Sequence, residues 1–149
     1  MMGAEGACST PGFESGSVGA QLRHALDSYR CLFTGLDGAL VNYDARERDV
    51  RVETDRRMAI ARIRFTRAAL AELVPADGDR ALSVICEGGG PEGTSSTLAR
   101  ELQFLMSHVV HHYALIAMIL RMLDVTPPAD FGIAPSTLEH WNASAQRSR

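Results

Sequence analysis

The sequence contains no lysine: all 15 of its basic residues are arginines. Against 18 acids this leaves a formal net charge of -3, which argues against the concentrated basic surface that general nucleic-acid affinity needs. The all-arginine usage points to genomic base composition before it points to function. Cysteine is scarce, with Cys8, Cys31 and Cys86 giving an odd number and no C-x-x-C pair. That excludes a disulfide framework and reads as reduced thiols of a cytoplasmic protein. Residues 1–16 are rich in Gly, Ser, Ala and acid and lack a basic start followed by an apolar run. They are no signal peptide and read as a disordered segment. There is no internal repeat or low-complexity tract. The longest apolar stretch, Leu102 to Leu120, approaches the length of a membrane span but carries Gln103, Ser107 and three histidines. A buried helix with no membrane partner is the better reading.

What is present suits one domain of 149 residues with a real core. From about Ser17 to Leu40 the residues Val18, Leu22, Leu26, Tyr29, Phe33 and Leu36 share one helical stripe, with Ser17 as the cap. The charged run from Asn42 to Asp49 has no apolar period and reads as a loop. A second helix is expected from Asp55 to Val74, capped by Thr54 and facing inward through Ile60, Ile63, Leu70 and Val74. Ala81 to Cys86 is short, apolar and bounded by turn residues, so it reads as an extended or β insertion near 80–87. Gly88-Gly89-Gly90-Pro91 breaks the chain without phosphate-loop spacing. The third helix should run from Ser96 or Thr97 to about Leu123. Being apolar on nearly every face, it should sit centrally. The helical domain then spans 17–138, with the segment from Ala129 packed back on the body and 139–149 frayed.

Chemistry concentrates in Ser107-His108-Val109-Val110-His111-His112-Tyr113. Four residues apart on a helix, His108 and His112 aim at one point. Neutral imidazoles at this spacing form a half-site for zinc-type ions, while the alternative is two core histidines bonded to backbone or hydroxyl groups. His111 points partly aside but shares the other spacing used in helix-bundle sites with His108. His24 is the remaining histidine within an expected helix; its wheel position, opposite the Leu22/Tyr29/Phe33 stripe and beside Ala20, Asp27, Cys31 and Gly38, reads as a surface residue, the alternative being a helix buried on two sides. His140 reads as solvated. Asp27, one turn from His24, could orient its ring or simply be a solvated acid. Arg46, Arg48 and Arg51 form either an anion site or a solvated run stitched by Asp44, Glu47, Asp49 and Glu53. The arginines between Arg56 and Arg67 lack aromatic interleaving and read as a solvated face. The Asn142-Ala143-Ser144 sequon carries no weight in a cytoplasmic chain.

Several blocks together resemble the DinB/YfiT-like four-helix-bundle proteins. They are Ser17-Val18-Gly19 with Leu22-Arg23-His24-Ala25-Leu26-Asp27 and Tyr29, and Tyr43 to Asp49. Arg100 to Leu105 with Ser107 to Leu120, and Phe131 to Thr137, complete the set. The resemblance implies an all-α, DinB-like bundle and a metal site of His24, His108 and His112. It implies a divalent ion, zinc first, with nickel, iron or manganese as alternatives. It further implies a metal-dependent transferase acting on a small, low-molecular-weight thiol, the rival being a non-catalytic metal-stabilised or sensory domain. Asp27, Arg46, Arg48 and His111 are the supporting or substrate-contact candidates. Only three long helices are found, so the expected bundle lacks its first helix. Either the start codon lies upstream or a homodimer covers the open flank, which should expose part of the Ile60/Leu70 stripe.

Overall fold

Ser17 starts the first helix as its side chain dictates: its hydroxyl accepts from the Ala20 amide at 3.0 Å and opens α1 (Val18–Leu36). In this computed structural model residues 16–88 and 90–147 are described, so the reading of 1–16 as disordered falls outside them except at Gly16. The helix stops at Leu36 and not Leu40, because Ala39 takes a left-handed φ of 51°. Leu40–Asn42 then form a strand, β1. Two more helices follow, α2 (Val50–Thr54) and α3 (Arg56–Ala71), and then a 3-10 turn at Pro75–Asp79. Residues 43–49 form the expected loop, whose last residue, Asp49, caps the short α2, and α3 is capped by Asp55 instead of Thr54.

The extended segment expected near 80–87 is β2 (Ala81–Ile85), and it belongs to a sheet. β1 lies parallel to β2, with Val41 opposite Val84, and β3 (Thr94–Thr97) lies antiparallel to it, with Leu82 opposite Ser96. This mixed three-stranded sheet corrects the all-α expectation. The physical reason is non-local pairing. β1 is three residues long and β3 is Thr-Ser-Ser-Thr, so neither shows a period until the apolar β2 supplies the ladder between them. Val41, Tyr43, Leu82 and Val84 from the sheet region pack with Leu32 of α1 and with Leu98 and Leu105 of α4 (Leu98–Met122) in the main core. Leu26, Val52 and Ala59 form a smaller one.

The helices sit differently from the simple stripes. α3 buries Ala59 and Thr66, while Ile60 is 37% and Val74 55% exposed. α4 is long and apolar enough to cross a membrane by length and composition. It is not central, since Met106, Met118 and Met122 are exposed. Beyond it, Phe131 stacks on Tyr113 with centroids 4.8 Å apart, so the segment after Ala129 does fold back. The residues expected to fray, from 139 on, continue a helix, α5 (Pro135–Arg147), that buries none of its residues.

A buried polar junction ties sheet to helix. Tyr43 donates to Glu101 Oε2 at 2.9 Å and Ser96 donates to Glu101 Oε1 at 2.6 Å. Burial, and then the Glu101 charge, push the Tyr43 hydroxyl well above its ordinary value, so it remains a donor. Replacing Tyr43 by Phe removes one donor from a carboxylate that is only 5% exposed. The expected loss is about 2 kcal/mol, as for a hydrogen bond to a charged group, read as a lower urea midpoint with an unchanged slope. An unchanged midpoint would show that the junction contributes nothing to stability.

Candidate metal centre

α1 and α4 lie side by side and build the site. On α4 the four-residue spacing stacks His108 and His112 on one face, with ring centroids 4.5 Å apart. His24 of α1 completes a triangle, its ring centroid 5.0 Å from that of His108 and 4.6 Å from that of His112. One ring nitrogen from each lies within 4.8 Å of the others. α1 is buried on more than one side, by Leu32 and Leu26 as well as by Ala25 and Ser28. This is why His24 is half-buried and not exposed.

The surroundings fix the rings. His112, only 8% exposed, lies with Nδ1 2.5 Å from Gln21 Oε1, an amide oxygen that can only accept. With Nδ1 donating to that oxygen, the Nε2 lone pair would be the ligand atom His112 offers. Phe104 stacks on His108 at 5.6 Å. His108 Nε2 is buried without a hydrogen-bond partner among the described residues. A buried nitrogen left unpaired is costly, and beside two other imidazoles a metal ion would satisfy it. The donor set therefore fits a divalent cation.

Burial, helped by the Arg46 charge, holds His24 down to about 4. Burial, with His108 and His24 following, brings His112 down to about 4 as well. His108 is lowered too, by burial first and then by His111. All three are neutral at pH 7, as ligands must be. Between the ordinary histidine value of 6.5 and about 4 the unfolded chain binds more protons than the folded one. Linkage then makes the stability of the metal-free protein fall as pH drops through that window and level off above it. Urea unfolding from pH 7 to pH 4 should follow this trend. A His24→Gln, His112→Gln double variant that kept the same acid slope would remove these rings as its source.

The other site candidates fall into place around this triad. His111 is exposed and outside it, its ring 5.2 Å from His112. Asp27 is buried but turned from His24 to Arg23, which donates to it at 3.2 Å and to Glu53 at 3.0 Å. Arg46 is half-buried and Arg48 exposed, and both act electrostatically on His24. Gln21 was the residue hardest to see in advance, although its place three residues before His24 sets it on the same helical face. A cavity of about 200 Å³ lies one turn along α1, lined by Asp27, Cys31, Asn42 and Ala45 among others. A larger one, of about 480 Å³, lies away from the histidines between α1 and α3, walled by Phe33, Met58 and Phe65.

No family model and no solved structure matches the chain. A curated protein of Rhizopus delemar, named FK506-binding protein 5, is 34% identical over 105 residues. The match takes in 68% of this chain and 27% of the relative, so the chain spans about a quarter of that protein's length. This finding, with the mixed sheet, overturns the DinB/YfiT-like resemblance, and with it the four-helix bundle and the metal-dependent thiol transfer inferred from it. The blocks that carried the resemblance are short and mostly helical. Capped, amphipathic helices bearing a His-x-x-x-His pair arise on more than one fold, so such blocks specify local geometry and not ancestry.

Proposed function

We propose that this chain is a divalent-metal-binding module whose ion is held by His24, His108 and His112. The observation that carries the reading is the convergence of the three ring nitrogens within 4.8 Å, with His108 Nε2 buried and unpaired among the described residues. Three neutral imidazoles would leave the ion its full charge and a position for a further ligand, and an ion so held polarises what binds there and lowers its proton affinity. The test is loading of the purified chain with cobalt or zinc and elemental analysis after desalting. One equivalent, removed by a strong chelator and accompanied by a rise in melting temperature on reloading, supports the reading. Less than a tenth of an equivalent refutes it.

A second reading is supported by the 34% identity to a protein named for FK506 binding and by the cavity of about 480 Å³ between α1 and α3. Its size falls in the range of small-molecule sites and its walls include Phe33, Met58 and Phe65. Calorimetric titration with FK506, repeated on Phe65→Ala, addresses it directly. Saturable binding weakened by the substitution supports this reading, and its absence in the parent chain removes it.

A further inference from the structure

α3 (Arg56–Ala71) carries five of the chain's 15 arginines and none of its 18 acids. Such a charge run is most often a solvated face, but this one borders a hollow. The cavity of about 480 Å³ between α1 and α3 is walled by Phe33 of α1 and by Met58, Ala61 and Phe65 of α3. Phe65 is 59% exposed, so the hollow opens to the surface beside a bare ring. Apolar side chains gathered at the mouth of a hollow mark a binding face, where single scattered ones would not.

Helical spacing lays charge along the same edge. Met58, Ala61 and Phe65 follow one another at intervals of three and four, so they form one row on α3. Arg57 and Arg64 stand four before and three after Ala61 and form the neighbouring row on the solvent side. Both are exposed, and neither meets an acid among the described residues. Two further arginines, Arg30 and Arg62, stand in the walls, the first paired with Glu47 and the second 3.7 Å from Asp49. The face is thus a concave apolar groove with a basic rim. A flat bilayer suits a convex apolar face and would leave such a hollow unfilled. An amphipathic helix fills it, with apolar anchors at intervals of three and four and acids beside the arginine row.

We infer that the groove between α1 and α3 docks an acidic amphipathic helix of a partner protein. Its apolar anchors would enter the hollow beside Phe65, and its carboxylates would face Arg57 and Arg64. The inference needs neither the metal ion nor FK506 binding, although FK506 seated in this cavity would exclude the helix.

The test titrates the full chain into a fluorescein-labelled synthetic helix matched to the 16 residues of α3, with leucines at every third or fourth position and glutamates flanking them. Anisotropy should report saturable binding that weakens as salt is raised. The same peptide with lysine for every glutamate should not bind at these concentrations, a control that needs no altered protein. The Arg57→Gln, Arg64→Gln double variant should bind about tenfold more weakly and with a flatter salt dependence. Phe65→Ser should lose at least about tenfold while keeping the salt dependence, since an apolar contact is what it removes. Arg121→Gln, on α4, should change nothing. All four positions are exposed, so the variants should melt with the parent. Equal binding of the two peptides, parental binding in the double variant or in Phe65→Ser, or no binding by the parent overturns the inference. Tighter binding of phosphatidylserine vesicles or of a single-stranded oligonucleotide also overturns it, by assigning the arginine row to a membrane or a nucleic acid. The metal and FK506 readings stand or fall on their own titrations.

Discussion

Replacing His108 by Ala is expected to abolish stoichiometric metal, whereas replacing His111 is not. His108 is the ring whose Nε2 is buried with no other partner among the described residues, so its donor capacity has no competing use. A structural zinc site binds with roughly 10–16 kcal/mol shared among its ligands, so losing one should weaken binding on the order of a hundredfold or more. A companion measurement separates a ligand from an ordinary core histidine. In the metal-free state His108→Leu relieves an unpaired buried nitrogen and should be neutral or stabilising. In the metal-loaded state it should remove the thermal gain entirely. Retention of the ion by His112→Ala with its loss from His111→Ala would show that the ligands are misassigned.

The second large effect lies at Gly35, near the end of α1. The backbone of β1 passes so close that a Cβ there would stand 2.5 Å from the Leu40 carbonyl oxygen and 2.8 Å from the Val41 Cα. Both neighbours are main chain. Val41 is fully buried and paired with β2, so it cannot step aside without breaking the sheet. Gly35→Ala should therefore cost about 3 kcal/mol, the upper range for overpacking a core, and lower the melting temperature by roughly 10 °C for a domain of this size. Ala at Gly38, where a Cβ meets nothing within 4 Å, is the matched control and should be close to neutral. Equal melting temperatures for the two variants would mean that α1 and β1 can separate without penalty.

These two positions show what could be read in advance. His108 and His112 were legible because a helix converts a spacing of four into a shared direction, and that rule needs no tertiary information. The cap at Ser17 was legible from its own hydroxyl, the start of α4 only to within Ser96 or Thr97, and the cap of α3 proved to be Asp55 and not Thr54. Gly35 was not, because nothing in Leu-Val-Asn announces a strand until the distant Ala81–Ile85 provides its partner. The expected stripe of Ile60, Ile63, Leu70 and Val74 misled in part. It has helical spacing, but α3 turns Ala59 and Thr66 inward, so Ile60 and Val74 are left exposed while Ile63 packs on the smaller core and Leu70 is half-buried. His24 lay between these cases: its helix was evident, while its burial depended on the core around Leu32 and on α4.

The pairing of β1 with β2 in parallel has a kinetic consequence. Antiparallel β2 and β3 close through a short turn, but β1 joins β2 only after α2, α3 and the 3-10 turn have been brought around. Such closures pay their entropy before contacts repay it, so this ladder should form late, after the local helices. The histidine triangle depends on a similarly long return, for Gln21 and His112 meet across 91 positions of chain. α1 and α4 must come together across that span before the three rings converge. An ion that binds them would then recognise the finished fold and little before it, slowing unfolding far more than it speeds folding.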